Sequence, residues 1–419
     1  MNTAYFLAAA LLALTPGISS AADAWSLRVP GKPLEVCGKM RDSFNVSGAA
    51  SGAAGRVLLV CDELKHGVQA GHLAVATGRI TLTEGEFTLH AGAGKELDLE
   101  AAAADPQHHC YYVCGSCGPS RKTGEAAPDR QWLFRIGTDP ASGAMIPGAV
   151  TRVSLVEALR TEGFLAQRLN KSAADMGVDI EGLAYKDGRL WLGLRCPNVN
   201  GNGLVVVASA DDIMAKRPVV WQRFDLPLGN DRGLRDLVPI KDGFLLLAGP
   251  TGALDARTVP AKPKKAKPAA QSQSAAPPDT VCLGDTADAR RHEAGKMPAP
   301  RWPGHLARRP LQSNWVLAEP SRASPPAAAP PAAAPPEEAS FALYFWAGDA
   351  SGPVRVGEVA RPPRLAGGMG ASGKPEGLLV VSETSASIGL IVLCDGAANG
   401  APMLYEVSRP QWREHQQDR

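Results

Sequence analysis

At 419 residues the chain is long enough for one large all-β domain or two to three average ones. Its 44 basic and 42 acidic residues leave a formal charge of only +2, so no global field recruits nucleic acid or an acidic membrane surface, and nucleic acid is set aside as a partner. Forty-four glycines and 35 prolines are more punctuation than a helical bundle tolerates and suit many short strands and turns.

Residues 1–22 have the layout of a secretory signal peptide. An apolar run from Phe6 to Leu14 is followed by a Pro16-Gly17 break and small residues through Ala24, although no Lys or Arg precedes the run. The run is shorter than the roughly 20 residues that span a hydrocarbon core, so it reads as cleaved rather than anchoring. The mature chain is expected to be periplasmic or secreted, with no membrane span.

From Trp25 onward a pattern recurs: a short motif with a polar or acidic centre, a glycine-containing turn, and an apolar strand. The copies in chain order are Asn45-Val46-Ser47-Gly48, Asp98-Leu99-Glu100, Asp179-Ile180-Glu181-Gly182, Gly233-Leu234-Arg235-Asp236 and Lys374-Pro375-Glu376-Gly377. After the third copy, Asp187-Gly188 between apolar runs is a hairpin signal. Residues 253–340, rich in Pro, Ala and Lys, cannot bury a core and read as a disordered insertion between a first part, 25–252, and a last part, 341–410; residues 411–419 read as a polar tail.

Ser47 to Glu100 is 53 residues and Glu181 to Arg235 is 54. Arg235 to Glu376 is 141, which falls to 53 without the 88-residue insertion. Glu100 to Glu181 is 81, and it fits less well even when the helix-like Val153 to Asn170 is set aside. A unit of this length cannot bury its strands alone and must stack on neighbours, as propeller blades do. The expected fold is therefore an all-β propeller, with five blades favoured over six and Trp25 to Phe44 supplying closing strands. A β-sandwich with coincidental spacing is the competing architecture.

Asp98 to Ala101, Tyr111 to Cys117, Ser120-Arg121-Lys122 and Leu133-Phe134-Arg135 together resemble a bacterial family called domain of unknown function 3616 (DUF3616). Asp179 to Arg195, Gly233 to Pro250 and Pro375 to Val381 are similar to it in order and wording, so the resemblance covers most of 40–250 and 341–395 and none of the insertion. It implies a propeller-like fold and brings no established substrate. Where the family carries histidine after Gly-Ser, this chain has Cys117, which puts any role needing an imidazole there in doubt.

If the motifs open equivalent innermost strands, Glu100, Glu181, Arg235, Asp236 and Glu376 converge at one end of the central channel. Three readings stay open. Arg235 or Arg195 can neutralise Glu181 or Glu376 in a structural ring. Glu100, Glu181 and Glu376 can bind a hard cation such as calcium, which takes roughly six to eight oxygen ligands. Neighbouring carboxylates can also serve as acid and base.

His108-His109-Cys110, Cys114 and Cys117 have a spacing that invites iron–sulfur or zinc ligation, but the cluster overlaps an apolar strand. For an exported chain, disulfides among Cys37, Cys61, Cys110, Cys114, Cys117, Cys196, Cys282 and Cys394 are the better expectation. No Gly-x-Ser-x-Gly elbow, phosphate loop or His-Glu-x-x-His helix occurs in the sequence. The expected function is a scaffold that binds a small ligand or a protein. The alternative is a metal-assisted hydrolase of esters, lactones or phosphoesters at the channel.

Overall fold

Apolar runs of six to eleven residues, alternating or fully buried, form most of the strands, and glycine or aspartate at positive φ turns the chain between them. The computed structural model describes residues 24–28, 33–83, 85–90, 96–120, 123–252, 340–362 and 373–410. The expected export segment, Cys282, the 411–419 tail and all of the expected insertion except Ser340 lie outside the described residues. What is described falls in one unit, Met1–Pro260 with Pro336–Arg419.

The chain begins with β1 (Ser26–Arg28) and β2 (Glu35–Cys37). Blade one follows as β3 (Val46–Ser51), β4 (Arg56–Cys61), β5 (Gly67–Ala74) and β6 (Arg79–Leu82), with β7 (Phe87–Thr88) beside β5 and β2 running parallel to β6 at the outer edge. Blade two is β8 (Leu99–Asp105), β9 (Cys110–Gly115), β10 (Trp132–Thr138) and β11 (Met145–Ser154). Two short helices, α1 (Leu155–Leu159) and α2 (Gly163–Ala166), lead to blade three, β12 (Asp179–Lys186), β13 (Arg189–Val199), β14 (Asn202–Ser209) and β15 (Gln222–Pro227), with α3 (Ala210–Met214) before β15. Blade four is β16 (Arg232–Ile240), β17 (Gly243–Pro250), β18 (Phe341–Trp346) and β19 (Val354–Val359). Blade five is β20 (Lys374–Glu383), β21 (Ser387–Asp395) and β22 (Met403–Ser408), completed on its outside by β1.

The innermost strands form a closed cycle: β3 touches β8, β8 touches β12, β12 touches β16, β16 touches β20, and β20 returns to β3. This cycle gives five blades and removes both the six-blade and the sandwich alternatives. The hairpin expected at Asp187-Gly188 is present, with φ of 52° and 76° and Lys186 paired to Arg189. That is the turn geometry whose twist matches the flanking strands. The helix-like reading of Val153 to Asn170 begins too early, because β11 runs through Ser154, whose side chain then caps α1 by accepting the Glu157 N–H.

Five apolar clusters fill the five gaps between blades. Leu133, Leu155 and Leu192 lie between blades two and three, Trp191, Phe244 and Trp346 between three and four, and Leu247, Leu378 and Tyr405 between four and five. Leu59 and Ile391 lie between five and one, and Leu58 and Phe134 between one and two. Each fully buried side chain of this size contributes about 1.5–3 kcal/mol, so a blade is held by its neighbours rather than by itself.

Candidate functional site: a charged ring at one mouth of the channel

Each innermost strand slips register near its start, and the residues left between the paired positions are Ser47, Glu100, Glu181, Arg235 and Glu376. These are the centres of the five repeated motifs. A β-bulge places two residues opposite one and re-aims a side chain, and here it does so once per blade. All five are buried, none more than 8% exposed.

The following position packs blade against blade. A Cβ on Gly48 would stand 2.6 Å from the Glu100 carbonyl oxygen, and one on Gly182 would stand 2.6 Å from Leu237 Cδ2, so glycine lets adjacent inner strands close up. In blade four that position is Asp236. Its carboxylate accepts backbone N–H groups from Leu237 at 2.8 Å and from Leu378 of blade five at 2.7 Å, and Leu183 of blade three also donates to it. Burial pushes its carboxyl well above the usual aspartate range, against the pull of those N–H donors. Asp236 therefore ties three blades together and does not face the ring.

Arg235 bridges two glutamates: its Nη1 lies 2.7 Å from Glu181 Oε2 and 2.8 Å from Glu376 Oε1, and its Nη2 donates to the Pro250 carbonyl at 2.6 Å. Arg195 pairs with both Asp179 and Glu181. Arg130 is 3.0 Å from Asp98 and 2.9 Å from Glu96, and the Ser116 hydroxyl donates to Asp98. Ser47 has no charge to offer, and its hydroxyl donates to the Leu99 carbonyl at 2.6 Å.

Acids outnumber arginines here, and protonation absorbs part of the excess. Burial, reinforced by Asp98 and Glu181, holds the Glu100 carboxyl well above the glutamate range. Burial also raises Glu376 to about 8, although Arg235 pulls the other way. In each Asp-x-Glu pair the aspartate meets an arginine, Asp98 at Arg130 and Asp179 at Arg195, which also holds Glu181.

Of the residues expected at the mouth, Glu181, Arg235 and Glu376 are in direct contact, Glu100 joins them through the field of its neighbours, and Asp236 serves the backbone. Glu181 and Glu376 share a guanidinium. The acidic group in which one oxygen from each residue lies within 4.8 Å of the others is instead Asp62, Asp98 and Glu100. Asp62, Glu96 and Arg130 escaped the sequence reading. Asp62 and Arg130 stand outside the repeated motif, and the only available signal was that each Asp-x-Glu needs a cation.

The cysteines are a correction. Among the described residues no disulfide forms: Cys37, Cys61, Cys110, Cys114, Cys117, Cys196 and Cys394 are free, and all but Cys37 are buried. They sit in four of the blades and a loop and behave as small apolar side chains, with burial pushing the Cys61, Cys114, Cys117, Cys196 and Cys394 thiols up. Histidine and cysteine do not gather into a metal-binding group among the described residues either.

Residues 136–281 match the family model described as Protein of unknown function (DUF3616). The match begins in β10 and extends into the expected insertion, whereas the sequence resemblance was placed over 40–250 and 341–395. No curated protein matches the chain. Among solved structures, Bacteroides ovatus Xyloglucan PUL GH43B is 9% identical with a TM-score of 0.37, over 92% of this chain and 54% of that one. A structural genomics protein of unknown function from Bacteroides thetaiotaomicron VPI-5482 is 14% identical with a TM-score of 0.25, over 54% of this chain and 47% of that one. The N-terminal domain of Nup159 is 8% identical with a TM-score of 0.25, over 87% and 75%. The chain spans about half the length of the first two. Among the described residues no helix is long and apolar enough to cross a membrane.

Proposed function

We propose that the chain is an exported, five-bladed scaffold that binds a ligand or a protein partner at its faces. The observation that carries this reading is the Arg235 bridge. With one guanidinium shared between Glu181 and Glu376 and a second arginine on Glu181, these carboxylates form a rigid polar rim and are not left open to an ion or a water nucleophile. The periplasm or the extracellular space follows from the layout of residues 1–22.

A second reading, a calcium-type, metal-assisted hydrolase of esters, lactones or phosphoesters, is favoured by one feature. Asp62, Asp98 and Glu100 are close enough to ligate a single cation, although Arg130 competes for Asp98. Metal analysis of the purified protein, with calcium titration of its melting temperature, separates the two. The scaffold reading expects no stoichiometric metal and no calcium-dependent rise. A rise of several degrees that Glu100→Gln abolishes would favour the hydrolase and justify a substrate screen.

A further inference from the structure

The other mouth of the channel is built differently. There the same five inner strands enclose a cavity of about 350 Å³, walled by Ala50, Ala102, Leu183, Val238 and Leu378 among others. Alanine at positions where neighbouring strands carry leucine or valine leaves this space open. The volume lies at the small end of ligand pockets, which run from about 300 to 1,000 Å³.

Two tyrosines supply polar groups to the apolar wall. Tyr111, on β9, is only 3% exposed and borders the cavity, and its hydroxyl makes no hydrogen bond among the described residues. Its seat is specific: a Cβ on Gly52 would fall 1.7 Å from that hydroxyl oxygen, so the glycine is what lets the phenol sit there. A hydroxyl without a protein partner at a cavity wall can exchange bound water for a ligand's hydrogen-bonding group.

Tyr185, also in the lining, stands at the edge of a fixed acidic cluster. Asp105 is buried, its Oδ1 accepts the N–H groups of Gln107 and His108 at 3.0 Å each, and its Oδ2 lies 2.8 Å from His108 Nδ1. The Tyr185 hydroxyl bonds to Asp105 and lies 3.4 Å from His108 Nδ1. Asp105 is the one Asp or Glu in the lining, and no Lys or Arg lines the cavity, so its field disfavours an anionic head group.

We propose that this mouth binds a compact apolar molecule carrying a single hydroxyl, with its body against the alanine-lined wall and its hydroxyl on Tyr111. The site stands whichever reading holds at the charged mouth. The full chain is titrated with phenol, toluene and benzoate by ligand-observed NMR, as wild type and as Tyr111→Phe, Ala104→Leu and Glu181→Gln. Phenol is expected to bind saturably, with benzoate about tenfold weaker or more. Tyr111→Phe should weaken phenol about fivefold, the loss of one neutral hydrogen bond, and leave toluene unchanged. Ala104→Leu narrows the half-buried wall and should weaken both, while Glu181→Gln, at the far mouth, should change neither. Unsaturable phenol binding to the folded protein overturns the proposal. So does phenol binding that Tyr111→Phe leaves intact, or benzoate binding as well as phenol. Should Ala104→Leu fail to fold, the Tyr111→Phe comparison decides alone.

Discussion

Asp236 of blade four accepts the backbone N–H of Leu378, on the first strand of blade five, at 2.7 Å. A side chain here does the work that main-chain pairing does inside a sheet, across a boundary where no sheet runs. Its removal leaves buried N–H groups with nothing to bond. Asp236→Ala is expected to cost about 3 kcal/mol or more, from about 1–3 kcal/mol for each of three orphaned donors. A urea midpoint within error of wild type would show that the inter-blade bond carries no stability.

The Arg235 bridge can be tested by breaking and then discharging it. Arg235→Met leaves Glu376 buried without its cation and Glu181 with Arg195 alone. Above about pH 8, where the Glu376 carboxyl is ionised, the expected loss is about 3–5 kcal/mol, the usual consequence of an uncompensated buried charge. Adding Glu376→Gln should restore a large part of it. Thermal unfolding of the single and double variants reads the coupling, and additive losses would mean that the two residues do not act as a pair.

The raised pKa of Glu376 gives stability a pH dependence of definite sign. With the folded value at about 8 and the ordinary glutamate value at 4.5, the native state holds a proton that the unfolded chain gives up in between. Its contribution is therefore complete below about pH 4.5 and is lost as pH rises through 8. Glu376→Gln keeps the neutral form at every pH. Its melting temperature relative to wild type should climb between pH 5 and 8 and then level off, whereas a flat difference would place the wild-type carboxyl at an ordinary value.

Thiol titration checks the cysteines. In a Cys282→Ser background, unfolding in guanidinium without reductant should release seven reactive thiols. In the native protein only Cys37, the one that is not fully buried, should react quickly. A count short by two or more after unfolding would restore a disulfide.

The blade count was legible because Ser47, Glu100, Glu181, Arg235 and Glu376 all occupy the same bulge, and a bulge must recur wherever the same strand geometry recurs. Asp187-Gly188 was legible for a local reason, since two successive positive φ angles demand such residues. Asp62 and Arg130 were not legible, because they reach Asp98 and Glu100 from loops whose lengths differ between blades. Asp236 belonged to a motif, but which of two adjacent residues faces the ring depends on the bulge's aim, which spacing alone does not encode. The cysteines misled because even number and expected compartment bear on pairing in general, whereas pairing requires two Cβ atoms within about 4.5 Å.

Blade five is assembled from opposite regions of the chain: Ser26 pairs with Ser408, Leu27 with Val407 and Arg28 with Glu406. During synthesis the earliest strand of the described fold emerges long before the strand it must join, and it waits unpaired while four other sheets are made. The clasp joins regions about 380 residues apart in sequence, a long-range contact of the kind that slows folding. Four blades can be finished while the circle is still open. Trimming as few as three residues at β1 should leave each remaining sheet recognisable and yet release the ring, so that proteolysis would enter at the seam between blades five and one.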